Sequence, residues 1–247
     1  MSQQIANNFT KAQGFPQRLR AVLFDMDGVL YNSMPYHAIA WNKAMAQFGY
    51  DLPEEEVYMH EGRTGTSTVN LVSLREHGTE VSEERVAEIY KVKSDLFNQF
   101  PPAEPMPGAL SLLRQLKEQG LMILIVTGSG QCSLLDKLNC DYPGIFRREL
   151  MVTAFDVKYG KPNPEPYLMG MQKGGLQPHE CIVVENAPLG VHAAKAAGIF
   201  TIAVNTGPLP DKALLDEGAD LLFPSMQALS DAWGELSVAL DKQTKDI

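Results

Sequence analysis
Six short apolar runs punctuate the chain: Ala21 to Phe24, Leu121 to Val126, Leu150 to Thr153, Cys181 to Val184, Thr201 to Val204 and Leu221 to Phe223. Each ends in turn residues and is followed by a helix-like segment. Runs this short and this continuously apolar suit strands buried on both faces, the condition of a parallel sheet covered by helices. Their alternation with helices predicts a doubly wound α/β core. Pro107 to Gln119 opens on proline and stops at Gly120, and Leu189 to Ala197 stops at Gly198, as helices do.

One interval breaks the alternation. Between the first and second runs lie about 85 residues of helical pattern, far more than a strand-to-helix connection of about 2–6 residues needs. Ala38, Trp41, Met45 and Phe48 mark one face of a helix that ends at Gly49, and Val86, Ile89, Leu96 and Phe97 mark another. Pro101, Pro102, Pro105, Pro107 and Gly108 read as a stiff return. A helical insertion over residues 34–104 thus sits on the C-terminal end of the first strand, the edge where open α/β sheets bind ligands.

Composition narrows the function. Hydrophobic residues are 45% and charged residues 21% of 247, ordinary globular usage, and the net charge of −9 argues against a broad nucleic-acid or anionic-membrane surface. No segment approaches the roughly 20 apolar residues of a membrane span. The polar stretch Met1 to Arg20 lacks the apolar run of a signal peptide, so a cytoplasmic monomer with a loose leader over 1–16 is expected. Cys132, Cys140 and Cys181 form no CxxC pair and read as buried reduced thiols.

Four polar clusters end four successive runs. Asp25-Met26-Asp27-Gly28 places two carboxylates where they can converge on one cation and one phosphorus, although two turn aspartates would read the same. Thr127-Gly128-Ser129-Gly130 precedes a helix and offers amides and hydroxyls to an anion; the G-x-G-x-x-G of dinucleotide sites fails at Ser133. Lys161 is held before Pro162, and Glu185-Asn186 closes the fourth run.

Together these clusters resemble the four motifs of the haloacid dehalogenase superfamily of phosphotransferases, from Ala21 to Phe223, and the insertion resembles the cap of its β-phosphoglucomutase-like subgroup. The resemblance implies a Rossmann-like core over 17–33 and 105–247 carrying a helical cap over 34–104. It implies Asp25 as the nucleophile that becomes an aspartyl-phosphate and Asp27 as general acid and base. Thr127, Gly128 and Ser129 would hold the transferring phosphoryl, and Lys161 would offset charge. It also implies Mg2+, bound by Asp25, the Asp27 carbonyl and Asn186 with Glu185 beside them, and His37 at the hinge orienting Asp27.

Three departures from those relatives shape the expected activity. Asn186 stands where Asp is usual, and Asn32 where relatives carry Asp. In the cap loop, aligned on Gly62, Glu61 replaces a lysine and Gly65 the arginine that grips a distal phosphate, with Arg63 two positions away. A carboxylate beside a substrate phosphate at about 4 Å costs about 4 kcal/mol at an effective dielectric near 20. Lys93 shares the apolar stripe of its helix and is a second cap cation that could point along the cap toward the site, though a buried stem with a solvated head is the more common arrangement for such a lysine. Glu61, delivered by cap closure, would restore the carboxylate that Asn186 lacks. The expectation is a magnesium-dependent phosphohydrolase acting on a small phosphorylated metabolite, inorganic pyrophosphate first. A β-phosphoglucomutase and a catalytically weak phosphate-binding protein are the alternatives.

Overall fold
The structure is a computed structural model that describes residues 16, 18–129 and 132–243; the leader read over residues 1–16 lies, Pro16 apart, outside them. Six strands form one sheet: β1 (Ala21–Phe24), β2 (Met122–Val126), β3 (Met151–Val152), β4 (Cys181–Glu185), β5 (Phe200–Val204) and β6 (Leu221–Phe223). All pair in parallel in the order β3-β2-β1-β4-β5-β6. The order reverses between β1 and β4, which makes their C-terminal ends the crevice of a doubly wound sheet.

Alternation along β1 explains the layers. Val22 and Phe24 face a cluster with Leu112, Leu116 and Trp233, whereas Ala21 and Leu23 face Tyr167, Met171 and Ala193. The first cluster is contributed by helices Ala109–Glu118 and Met226–Gln243, the second by Glu165–Gly174 and Pro188–Ala196. Each face of the sheet is therefore covered, as the apolar runs require.

The insertion holds four helices: α1 (Met34–Gln47), α2 (Glu54–Met59), α3 (Gly65–His77) and α4 (Glu83–Phe97). Thr64 and Ser82 cap α3 and α4 by accepting from Ser67 N and Arg85 N, and α3 stops at Gly78 in the left-handed region. Ala38, Trp41, Met45, Val69, Val86 and Ile89 build a cluster of their own, separate from the sheet. Leu96 and Phe97 depart from the expected stripe and pack on the sheet's cluster instead, so α4 spans both. The return is tied down where Tyr31 bridges Pro105 and Asn32 N donates to Glu104 O.

One expectation needs correction. Cys181 is buried, but Cys140 is exposed, because its neighbour Leu138, not Cys140, is the residue turned into the core. Asn32 is exposed at the return of the insertion, so that departure has no part in the cavity. Among the described residues no helix is long and apolar enough to cross a membrane.

Candidate active site
Strand register brings the motifs together. Phe24 pairs with Ile125 on one side and Val184 on the other, so the residues that follow emerge side by side at one edge. Asp25 N donates to Val184 O at 3.0 Å and Thr127 N to Val152 O at 2.9 Å, which fixes both side chains at the ends of the ladder. Gly28 turns the chain with φ +77°, and a Cβ there would strike the Asn186 amide.

Lys161 reaches this edge from the loop after β3, across a cis peptide bond to Pro162. Its ammonium lies 2.5 Å from Asp25 Oδ1 and 2.5 Å from Glu185 Oε1, with all three side chains buried. Both carboxylates hold Lys161 well above the usual lysine range against the opposing effect of burial. Glu185, expected beside the metal, has both oxygens engaged: Oε1 accepts from Lys161 and Tyr167, Oε2 from the amides of Asn186 and Ala187. It is a strut for Lys161 and the loop, removed from direct ligation by those four donors.

Asp27 is held differently. Ser33 Oγ donates at 2.6 Å and the His37 ring at 3.1 Å, both to Oδ1. His37 Nδ1 in turn lies 2.8 Å from Lys93 Nζ. An ionised Asp27 carboxylate can only accept, so the proton of the neutral ring sits on Nε2, facing Asp27, and Nδ1 is left to accept from Lys93. Burial alone would raise the Asp27 carboxyl, but His37 and Ser33 bring it below the ordinary range, while burial and Lys93 lower His37. Lys93 is 2% exposed, so its head is buried rather than solvated, and that burial pushes it down to about 7.

The cap loop closes over this edge. Gly62 lies against the aliphatic chain of Lys161, and a Cβ on it would stand 2.6 Å from Cδ. A Cβ on Gly128 would be 2.6 Å from Gly62 O, and one on Gly160 would be 2.9 Å from Thr64 N. Three glycines thus permit main-chain contact between loop and core. Their contact seats Glu61, whose two oxygens each accept from Asn186 Nδ2 at 3.1 Å. The cavity between loop and core has a volume of about 70 Å³ and is lined by Asp25, Asp27, Glu61, Arg63, Thr127 and Ser129 among others. Thr127 Oγ1 accepts from Ser129 N at 3.0 Å, which ties the hydroxyl to the loop that follows it; Gly130 is outside the described residues. Every predicted site residue that is described therefore meets at this seam.

Charge and orphaned atoms say what the cavity suits. Burial pushes Asp25 up to about 8, with Glu185 and Asp27 adding to it and Lys161 opposing, and Glu61 is raised well above its usual range by burial, Asp25 and Glu185. Four buried or half-buried carboxylates face two lysines, a surplus that a divalent cation would neutralise. Asn186 Oδ1 is buried without a partner, an oxygen donor of the kind hard cations take. Among the described residues no three His, Cys, Asp or Glu side chains form a ready cluster; the donors here are mixed, carboxylates with an amide oxygen. Arg63 Nε and His60 Nδ1 are likewise buried without partners, and Arg63 pairs with no carboxylate among the described residues.

Sequence reasoning missed Ser33 and Tyr167. Ser33 directly precedes α1 yet does not cap it, because its hydroxyl turns to Asp27; a hydroxyl six residues after Asp27 was the only signal. Tyr167 is one buried aromatic among several, and nothing in its spacing marks it.

A doubly wound sheet ending in an Asp-x-Asp pair, a hydroxyl loop and a lysine at the switch point defines an enzyme of phosphoryl chemistry. The chain belongs to the haloacid dehalogenase-like hydrolases, whose family model matches residues 22–204. It is 35% identical over 214 residues to hexitol phosphatase A of Escherichia coli, covering 86% of this chain and 94% of that one. It is 29% identical over 217 residues to a phosphorylated carbohydrates phosphatase of Thermotoga maritima, covering 86% and 97%. A solved structure from Bacteroides vulgatus, described as a candidate β-phosphoglucomutase, matches at 58% identity with a TM-score of 0.89 over 96% of each chain. The relatives support the phosphohydrolase class at this coarse level and the β-phosphoglucomutase-like subgroup within it.

Proposed function
We propose that the protein is a magnesium-dependent phosphohydrolase that works through an aspartyl-phosphate on a small, strongly anionic substrate, inorganic pyrophosphate being the first to test. The observation that carries this reading is Glu61 seated on Asn186 over a cavity of about 70 Å³. Pockets for larger organic ligands run to about 300–1,000 Å³, so the closed site suits a second phosphate rather than a sugar. Asp25, the Asp27 carbonyl, Asn186 Oδ1 and Glu61 would hold the magnesium, which when bound supplies charge neutralisation to Asp25 and to the phosphoryl oxygens.

In the first half-reaction an Asp25 oxygen bonds to phosphorus as the bridging oxygen leaves with the second phosphate. Thr127, Gly128 and Ser129 steady the transferring group, and Lys161 offsets its charge where Asp25 approaches. In the second, Asp27 takes a proton from the water that cleaves the aspartyl-phosphate. An Asp27 held ionised by Ser33 and His37 suits that base role. It suits a phosphate leaving group too, since phosphate departs as a charge-delocalised anion, whereas a sugar alkoxide needs a proton on departure.

The mutase reading is favoured by the His37 and Lys93 pair and by the 58% identical structure. Against it stand Glu61 where a phosphate-gripping cation would be needed and the absence of any side chain at Gly65. Phosphate release with magnesium from pyrophosphate, hexose phosphates, phosphoglycolate and nucleotides tests the choice. Pyrophosphate is expected to lead, with Asp25→Asn lowering its turnover by about 10⁴-fold or more. Conversion of β-glucose 1-phosphate to glucose 6-phosphate with a bisphosphate primer, without phosphate release, would establish the mutase instead. No turnover of either kind would leave a phosphate-binding protein.

A further inference from the structure
Gly65 opens α3, and a side chain there would project toward α4. The space is already taken: a Cβ on Gly65 would collide with the Tyr90 ring. Tyr90 is not simply part of the apolar stripe of α4. It lies three residues before Lys93 and packs against Trp41 with ring centroids 6.0 Å apart, and Lys93 Nζ sits 5.8 Å from its ring. Tyr90, Trp41, Lys93 and Gly65 all line the same catalytic cavity. Trp41 and Lys93 are almost wholly buried, so they are fixed parts of the wall; Tyr90 is half-buried and lines the cavity beside them.

We propose that Tyr90 is a specificity-determining residue of this site, a wedge admitted by the missing side chain at position 65 that sets the largest leaving group the closed cavity accepts. This rests on the small-substrate reading given above. The reasoning is steric. A tyrosine ring is rigid, with two side-chain torsions, and here it is held between α1 and the start of α3, so a bulkier leaving group can enter only by displacing it or by holding the cap open. Holding the cap open would lift Glu61 from Asn186 and let water reach the phosphoryl. Tyr90 thereby excludes sugar phosphates through the transition state as well as through binding, which makes the ratio of kcat/KM values the informative quantity.

The test measures kcat/KM for pyrophosphate and for β-glucose 1-phosphate in the wild type, Tyr90→Ala, Tyr90→Leu and Tyr90→Phe, each checked by thermal melting. Tyr90→Leu keeps an apolar contact with Trp41 and serves should the alanine variant not fold. Tyr90→Ala and Tyr90→Leu are expected to shift the ratio toward the sugar phosphate by about 10-fold or more, and Tyr90→Phe, which keeps the ring, to hold the wild-type ratio. An unchanged ratio in both shortened variants overturns the wedge while leaving a pyrophosphate-preferring wild type, and so the small-substrate reading, intact. A wild type that turns over β-glucose 1-phosphate as well as pyrophosphate overturns that reading and Tyr90's role with it. A shift of equal size in Tyr90→Phe also overturns the steric role, since the ring would then be irrelevant.

Discussion

Two buried lysines flank the catalytic aspartates, one in the core and one in the inserted helices, and their surroundings are opposite. Lys161 lies 2.5 Å from each of two carboxylates and is held firmly charged. Lys93 faces a neutral histidine and the rings of Trp41, Tyr90 and Phe97, with no carboxylate within salt-bridge reach among the described residues, and its pKa is pushed down to about 7. The first is part of what holds its region together. The second is a liability to the fold, tolerated because it fixes the proton of His37 on the side facing Asp27. A buried charge thus stabilises or destabilises according to its partner, while its use in the site is a separate matter.

The sharpest break in this comparison is Lys161→Met. It leaves Asp25 and Glu185 buried without a counter-charge, so turnover should fall by about 10³-fold or more and stability by about 3–5 kcal/mol in denaturant titration. Next comes Glu61→Gln, which removes the carboxylate seated on Asn186. The magnesium concentration for half-maximal turnover should rise by about 10–100-fold; an unchanged magnesium dependence would detach Glu61 from the metal.

Lys93→Met should slow turnover by about 10-fold, because His37 loses its Nδ1 donor and with it a fixed tautomer, yet it should melt higher than wild type at pH 7. The sign follows from proton uptake. Between pH 7 and the unfolded lysine value of 10.5 the unfolded chain holds a proton that the folded chain has lost, so wild-type stability rises with pH across that window. The advantage of Lys93→Met should therefore shrink as melts are repeated toward pH 10. The smallest effect is expected of Tyr167→Phe, which deletes one donor to Glu185 Oε1 and leaves Lys161 in place. A loss of about 1 kcal/mol and a few-fold in turnover would identify Tyr167 as a support for the Lys161 strut.

The parts legible in the sequence were those coupled to strand ends. Asp25, Thr127 and Asn186 could be placed because a buried parallel strand delivers the residue after it to a common edge, and apolar runs mark where strands stop; Lys161 could be placed from its position before Pro162 in the loop after the third run. Tyr167 and Ser33 were not legible, since their roles depend on which neighbour a side chain turns toward. Glu185 does stand at the expected edge, but it serves Lys161 rather than a metal. Its carboxylate is consumed by Lys161, Tyr167 and two amides, a set of partners that no single-sequence pattern contains. Tyr90 is the extreme case. Its significance lies in the emptiness of position 65, a relation between two helices whose packing is set by the fold of the insertion as a whole.

The seam of Gly62, Gly128 and Gly160 has a consequence for how such a site could diversify. Gly128 and Gly160 let the core approach lid main chain at Gly62 O and Thr64 N, while Gly62 rests on the Lys161 side chain, so much of the fit depends on small residues rather than on the exposed side chains of the loop. Arg63 and Tyr90 lie outside those glycine approaches and can each be exchanged in a descendant lineage without recutting the surface on which the lid lands. A new preference could then arise from a few substitutions in the lid while the hinge, the nucleophile and the glycine landing surface stay as they are.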